Sequence, residues 1–134
     1  MASPRSLEDV RILLVEDDDD IREFLRNVLS ARGAVLTAVN GTRAAIAALA
    51  AETPDIVISD ISMPGEDGHA LLRRVRALPL TRGGRIPAIA LTALDSREAR
   101  KASRAAGFHY HLTKPVDADK LVEIVADLVR LTGA

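Results

Sequence analysis

The chain carries 134 residues, with 18 Lys and Arg against 19 Asp and Glu, for a net charge of −1 and a hydrophobic fraction of 48%. That length suits one soluble globular domain with a single core, and the near-neutral total gives no bulk electrostatic reason to expect nucleic-acid binding. Aromatics reach only 2% (Phe24, Phe108, Tyr110), too few for base-stacking platforms, and the absence of Cys excludes disulfides and zinc–thiolate sites while suiting a reducing cytoplasm. No run approaches the roughly 20 apolar residues of a membrane helix. The first eight residues lack the apolar stretch of a signal peptide and are expected to form a flexible extension.

Short β-rich runs then alternate with helical periods. Ile12-Leu13-Leu14-Val15 is a brief apolar run that ends abruptly in acids, which predicts a buried strand. Ile21, Phe24, Leu25, Val28 and Leu29 recur at helical spacing on one face, and Gly33 supplies a stop. A second strand is predicted at Ala34–Val39 and an alanine-rich helix at Thr42–Ala51. Pro54 breaks the chain before the third strand, Ile56–Asp60. Beyond the Pro64-Gly65 turn, Leu71, Leu72, Val75 and Leu78 mark a third helix. Arg82-Gly83-Gly84 reads as the most flexible connector, leading to a fourth strand at Ile86–Leu91. Asp95-Ser96-Arg97-Glu98 has capping-box spacing for a helix reaching Gly107. Phe108–Leu112 predicts a fifth strand, and Leu121, Ile124, Val125, Leu128 and Val129 a fifth helix.

Five strand–helix units with nearly all-apolar strands imply a parallel sheet covered by helices on both faces. In such sheets the site lies at the carboxyl ends of the strands. The first strand ends in Glu16-Asp17-Asp18-Asp19-Asp20, the third in Asp60, the fourth in Thr92-Ala93, and the fifth runs into Lys114-Pro115. One cleft thus gathers carboxylates, a hydroxyl and an ammonium. Clustered carboxylates raise one another's pKa unless a cation neutralises them, and hard oxygen ligands without His or Cys favour Mg²⁺. Asp60, alone at its strand end, is the best nucleophile toward a phosphoryl group, with Lys114 and the Thr92 hydroxyl holding phosphoryl oxygens. Singly, each residue has an ordinary reading: Asp18, Asp19 and Asp20 as helix caps (Asp20 with Glu23 in capping-box spacing), Thr92 as strand-end filler, Lys114 as a surface lysine. Their convergence outweighs it.

Val15-Glu16-Asp17-Asp18, the run Ser59-Asp60-Ile61-Ser62-Met63-Pro64-Gly65-Glu66-Asp67-Gly68, Ala90-Leu91-Thr92-Ala93 and Leu112-Thr113-Lys114-Pro115 together resemble a two-component response-regulator receiver domain, from about Val10 to Leu131. The resemblance implies a flavodoxin-like α/β fold with sheet order 2-1-3-4-5 over residues 9–132, and a phosphoacceptor role for Asp60. It implies Mg²⁺, with Mn²⁺ able to substitute, held by Asp17, Asp60 and the Ser62 backbone carbonyl, and by Glu16 through a water. Lys114 would contact the phosphoryl group ahead of a cis bond to Pro115. The Thr92 hydroxyl and Ala93 N–H would take the remaining phosphoryl oxygens. The implied partners are a sensor histidine kinase or histidine phosphotransfer protein, and a downstream protein on the face of the fourth helix, fifth strand and fifth helix. Transfer to Asp60 and its slow hydrolysis would be the only chemistry, not turnover of an external substrate.

The switch position three residues before the lysine is usually Tyr or Phe in that family; here it is His111, while Tyr110 falls on the opposite face of the strand. His111 either couples as a smaller, titratable ring or is a plain polar substitution. The fragment from Ala106 to Asp117 resembles receivers attached to hybrid sensor kinases more than those of transcription factors. Arg97, Arg100, Lys101 and Arg104 make one side of the fourth helix basic, either a solvated face or an output surface for an acidic partner. The competing functions are a haloacid-dehalogenase-type phosphatase, disfavoured because Asp60-Ile61-Ser62 lacks the second acid, and a phosphorylation-independent interaction module. The chain ends soon after the fifth helix, so no output domain is expected.

Overall fold

The computed structural model describes residues 6–63, 65, 67–94 and 96–131. The predicted domain end at 132, the Pro64 turn residue and the Asp95 cap lie outside the described residues. Five strands, β1 (Arg11–Val15), β2 (Val35–Val39), β3 (Ile56–Asp60), β4 (Ala88–Thr92) and β5 (Tyr110–Thr113), pair in parallel in the order 2-1-3-4-5. The helices are α1 (Asp19–Ser30), α2 (Thr42–Ala51), α3 (Gly68–Arg76), α4 (Arg97–Ala106) and α5 (Ala118–Leu131).

Strict alternation along the strands divides the apolar side chains between two layers. Ile12, Leu14, Ile56, Ile58, Ile89, Leu91 and Leu112 pack with Leu25 and Leu29 of α1 and with Leu121 and Val125 of α5. Leu13, Val15, Val57, Ala88 and Ala90 pack on the other side with Ala45 and Leu49 of α2, Leu71, Leu72 and Val75 of α3, and Ala106 of α4. The central strands are therefore buried on both faces, which is why they read as unbroken apolar runs.

Several boundaries differ from the sequence expectation, each for a local reason. The N-terminal extension does not reach residue 8: Leu7 is fully buried among the α1 and α5 side chains, and its N–H donates to the Arg32 carbonyl at 2.8 Å. The domain thus begins by Leu7, and residues 1–5 lie outside the described residues. β4 starts after Pro87, whose carbonyl still accepts from Val57 N–H but which has no N–H to give the ladder. β2 starts at Val35 and β5 at Tyr110, one and two residues later than predicted. Asp18, not Asp20, caps α1 by accepting from Ile21 N–H, and Ser96 caps α4 by accepting from Ala99 N–H. Phe24 is 52% exposed; it lies about 120° round α1 from the centre of the buried Leu25–Leu29 stripe. The Gly83-Gly84 connector is buried, and a Cβ on Gly84 would sit 2.2 Å from the Leu78 carbonyl oxygen, so it is tightly packed rather than loose.

Replacing Leu7 by Ala removes a buried side chain at the start of the fold. We expect a loss of about 2–5 kcal/mol in chemical denaturation, against almost none if residues 6–8 were a loose extension.

Candidate functional site

The parallel sheet delivers the carboxyl ends of β1, β3, β4 and β5 to one edge, where connecting loops carry chemistry without interrupting the ladder. Glu16, at the end of β1, is fully buried; Asp60, the last residue of β3, is 3% exposed; Asp17 is exposed. One carboxylate oxygen from each lies within 4.8 Å of the other two. Lys114, following β5, reaches back between them, its Nζ 2.8 Å from Glu16 Oε1 and 3.4 Å from Asp60 Oδ1. The Ser62 N–H donates to Asp60 Oδ1 at 3.3 Å. The Lys114–Pro115 bond is cis, and the Lys114 N–H donates to the Thr92 carbonyl at 2.7 Å.

The glycine closing the Asp60–Gly68 run has a steric reason. A Cβ on Gly68 would lie 2.3 Å from the Asp60 carbonyl oxygen and 2.9 Å from Ile61 Cα. Both are backbone atoms that cannot swing away, so only glycine lets the N-terminus of α3 sit against the end of β3. Asp67 caps that helix by accepting from Ala70 N–H at 2.9 Å.

The sequence-predicted residues fall into two groups. Glu16, Asp17, Asp60 and Lys114 meet directly. Thr92 is buried at the end of β4, with its Oγ1 accepting from Leu94 N–H at 3.1 Å, and Ala93 follows it, exposed. Ser62 is tied to the site through its N–H; its carbonyl role stays an implication of family resemblance. His111 stands outside the cleft and bonds α4 and the loop after β4: its Nδ1 is 3.2 Å from Ser103 Oγ and its Nε2 2.9 Å from the Leu94 carbonyl oxygen. Sequence reasoning passed over Ser103 and His69, whose Nε2 lies 3.4 Å from the same hydroxyl. The available signal was the lone hydroxyl in a helix whose other residues are charged or alanine.

Burial, and then the neighbouring Asp60 carboxyl, push Glu16 up to about 7, with Lys114 opposing. Burial and Asp60 also raise Asp17. For Lys114 burial acts to lower the ammonium, but its bond to Glu16 and the charges of Asp60 and Glu16 outweigh it, and the net shift is upward. Glu16 Oε2 is buried with no hydrogen-bond partner among the described residues, an uncompensated cost for a carboxylate. An all-oxygen set of three carboxylates with an orphaned buried oxygen fits a small hard dication, which keeps waters and takes few protein ligands.

The sign of the pH dependence follows. Folded Glu16 holds its proton up to about 7 whereas its ordinary value is 4.5, so between these limits the folded chain binds more protons and stability falls as pH rises. In chelator, the stability of the unsubstituted chain should therefore drop relative to Glu16→Gln from about pH 5 to about pH 8. Equal slopes in urea denaturation would contradict this.

Comparison with known proteins matches this architecture. The family described as "Response regulator receiver domain" matches residues 12–126. A 14.6 kDa protein from the sodA1 3′ region of Leptolyngbya boryana is 42% identical over 121 residues, covering 90% of this chain and 91% of that protein. The response regulator protein FleR of Pseudomonas aeruginosa is 38% identical over 116 residues, 87% of this chain but only 24% of FleR. The receiver domain of the P. aeruginosa sensor histidine kinase PA1611, solved with a magnesium ion coordinated in its active-site cleft, superposes with a TM-score of 0.82 at 29% identity, covering 90% of this chain and 98% of that one. With its sheet order, its acidic edge and a match over most of its length, the chain belongs to the response regulator receiver domain family.

Proposed function

We propose that this chain is a phosphoacceptor working in the cytoplasm: it takes a phosphoryl group from a phosphohistidine of a sensor kinase or histidine phosphotransfer protein onto Asp60. The observation that carries the reading is the nearly buried Asp60 carboxylate, bonded at Oδ1 by the Ser62 N–H and facing the Lys114 ammonium across 3.4 Å, beside two further carboxylates. An Asp60 oxygen attacks phosphorus in line, the P–O bond forms as the P–N bond breaks, and the imidazole departs with the donor. Lys114 balances charge on the phosphoryl oxygens, and the Thr92 hydroxyl and Ala93 N–H donate to them. Asp17, Asp60, the Ser62 carbonyl and, through water, Glu16 would hold Mg²⁺, which when bound neutralises phosphoryl charge; the PA1611 receiver domain holds magnesium in the corresponding cleft. The acyl phosphate then hydrolyses slowly. There is no turnover of an external substrate in this reading.

The output side is a groove of about 460 Å³ between α4, β5 and α5, lined among others by Arg100, Arg104, His111 and Lys120. Arg97 and Lys101 are exposed but do not line it, so the basic residues of α4 that a downstream partner meets in the groove are Arg100 and Arg104, with Lys120 of α5 beside them. No described helix is long and apolar enough to cross a membrane.

Incubation with Mg²⁺ and acetyl phosphate should add the mass of one phosphoryl group, and Asp60→Asn should add none. Lys114→Ala should slow labelling by about 100-fold or more, the scale on which a preorganised charge partner acts. Unlabelled protein with the fold intact favours the interaction module instead. Arg100→Glu combined with Arg104→Glu should keep labelling within about twofold, because the groove they line includes none of Glu16, Asp17 and Asp60; a larger loss would tie the groove to the chemistry itself.

A further inference from the structure

Ser103, on the inner side of α4, is 2% exposed and takes no part in the acidic edge, yet two imidazoles converge on its hydroxyl. His111 Nδ1 is 3.2 Å away and His69 Nε2 is 3.4 Å away. With both imidazoles neutral, the chemistry of these groups sets the direction of every proton. The Leu94 carbonyl oxygen, 2.9 Å from His111 Nε2, can only accept, so Nε2 carries the hydrogen and Nδ1 of the neutral ring is an acceptor. Ser103 must then give its single proton to Nδ1, which leaves its lone pairs to accept from His69 Nε2–H. A one-way chain results, from His69 on α3 through Ser103 on α4 and His111 on β5 to the loop after β4. Burial lowers the pKa of His69, which suits the neutral ring the chain requires.

The loop end of this chain is the Leu94 peptide, and it is held twice. Its carbonyl accepts from His111, while its N–H donates to Thr92 Oγ1 at 3.1 Å. Because Leu94 is itself 62% exposed, little side-chain packing holds it; the two hydrogen bonds do. We propose that Ser103 and His69 are positioning residues for Thr92: they fix the His111 tautomer, His111 fixes the Leu94 carbonyl, and Leu94 keeps the Thr92 hydroxyl in its resting orientation. This rests on the phosphoacceptor reading, in which Thr92 must turn toward a phosphoryl oxygen on Asp60. The latch opposes that turn, so weakening any link in it frees Thr92.

The test is Ser103→Ala, which removes the hydroxyl and leaves both imidazoles in place, with His111→Phe as a second variant that keeps a ring but loses the bond to Leu94. Nitrogen-15 NMR of the unsubstituted chain should show His111 and His69 as neutral rings protonated at Nε2. In both variants the Leu94 amide should exchange with solvent about fivefold faster, and labelling by acetyl phosphate with Mg²⁺ should speed up by a similar factor, the scale of one ordinary hydrogen bond. Ser103→Thr, which retains the hydroxyl, should restore both. Leu94 exchange unchanged in both variants, or His111 protonated at Nδ1, overturns the proposal even if the variants melt at altered temperatures. If even the unsubstituted chain gains no phosphoryl group, the phosphoacceptor reading fails, and Leu94 exchange still decides the latch.

Discussion

One ammonium set among three carboxylates governs the rest of this molecule. Glu16 is fully buried, and among the described residues its carboxylate takes a hydrogen bond from Lys114 at Oε1, while Oε2 has none. Asp60 shares the same Nζ at a longer distance. Taking such charges from water costs several kcal/mol each, and a single cation cannot repay it for every acid. The cluster persists because the chain around it has no freedom to open: β1 and β3 are paired with each other and packed on both faces. Apolar burial in the two layers therefore carries an electrostatically unfavourable edge, and that edge is predisposed to take up cationic charge.

The net charge of −1 hides this separation. Acids collect where β1 and β3 end, whereas α4 carries Arg97, Arg100, Lys101 and Arg104 against Glu98. Structural uses absorb some basic residues nearby. Arg76, at the end of α3, gives Nε and Nη2 to the Gly107 carbonyl at 3.0 and 2.6 Å, and Nη1 to the Gly84 carbonyl at 3.2 Å. It thereby satisfies the exposed end of α4, where a cation also suits the helix dipole. Gly107 itself terminates that helix at φ 115°, a left-handed conformation a Cβ would strain. The basic residues of α4 that reach the groove toward β5 are thus a different set from those that hold the helix in place.

Much of this was legible in the sequence because period and position reported directly on burial. The strands announced themselves as apolar runs that stop at acids, and those stops are the site: Glu16, Asp17 and Asp60 are adjacent in space as they are at strand ends in sequence. Phe24 misled because helical spacing gives a face without its centre; being apolar did not place it under β1. Leu7 was invisible because one buried leucine in a polar stretch has no period. Asp18 rather than Asp20 caps α1 because three adjacent acids had the right side chain, and only the backbone path decides among them. The hydrogen bonds joining His69, Ser103 and His111 lay beyond reach for a different reason: they connect α3, α4 and β5, across 34 and 8 residues of sequence.

The two faces of the sheet differ in a way that bears on how a change at the acidic edge can travel. Between the sheet and α1 and α5 the contacts are hydrocarbon against hydrocarbon, with Leu, Ile and Val filling the layer. Such packing is dense and offers no polar group to redirect. The other layer mixes large apolar residues such as Leu13, Leu71, Leu72 and Phe108 with the small Ala45, Ala88, Ala90 and Ala106, and near its β5 edge it holds a hydroxyl and two imidazoles. Hydrogen bonds among such groups can be redirected by moving one proton or turning one rotamer, at a cost of about one bond. Thr92 touches this polar margin through Leu94, and Lys114 touches Thr92 through its own N–H. Of the two layers, it is therefore the one carrying α3 and α4 that holds hydrogen bonds leading away from Thr92 and Lys114 at the acidic edge, whereas the layer under α1 and α5 is hydrocarbon.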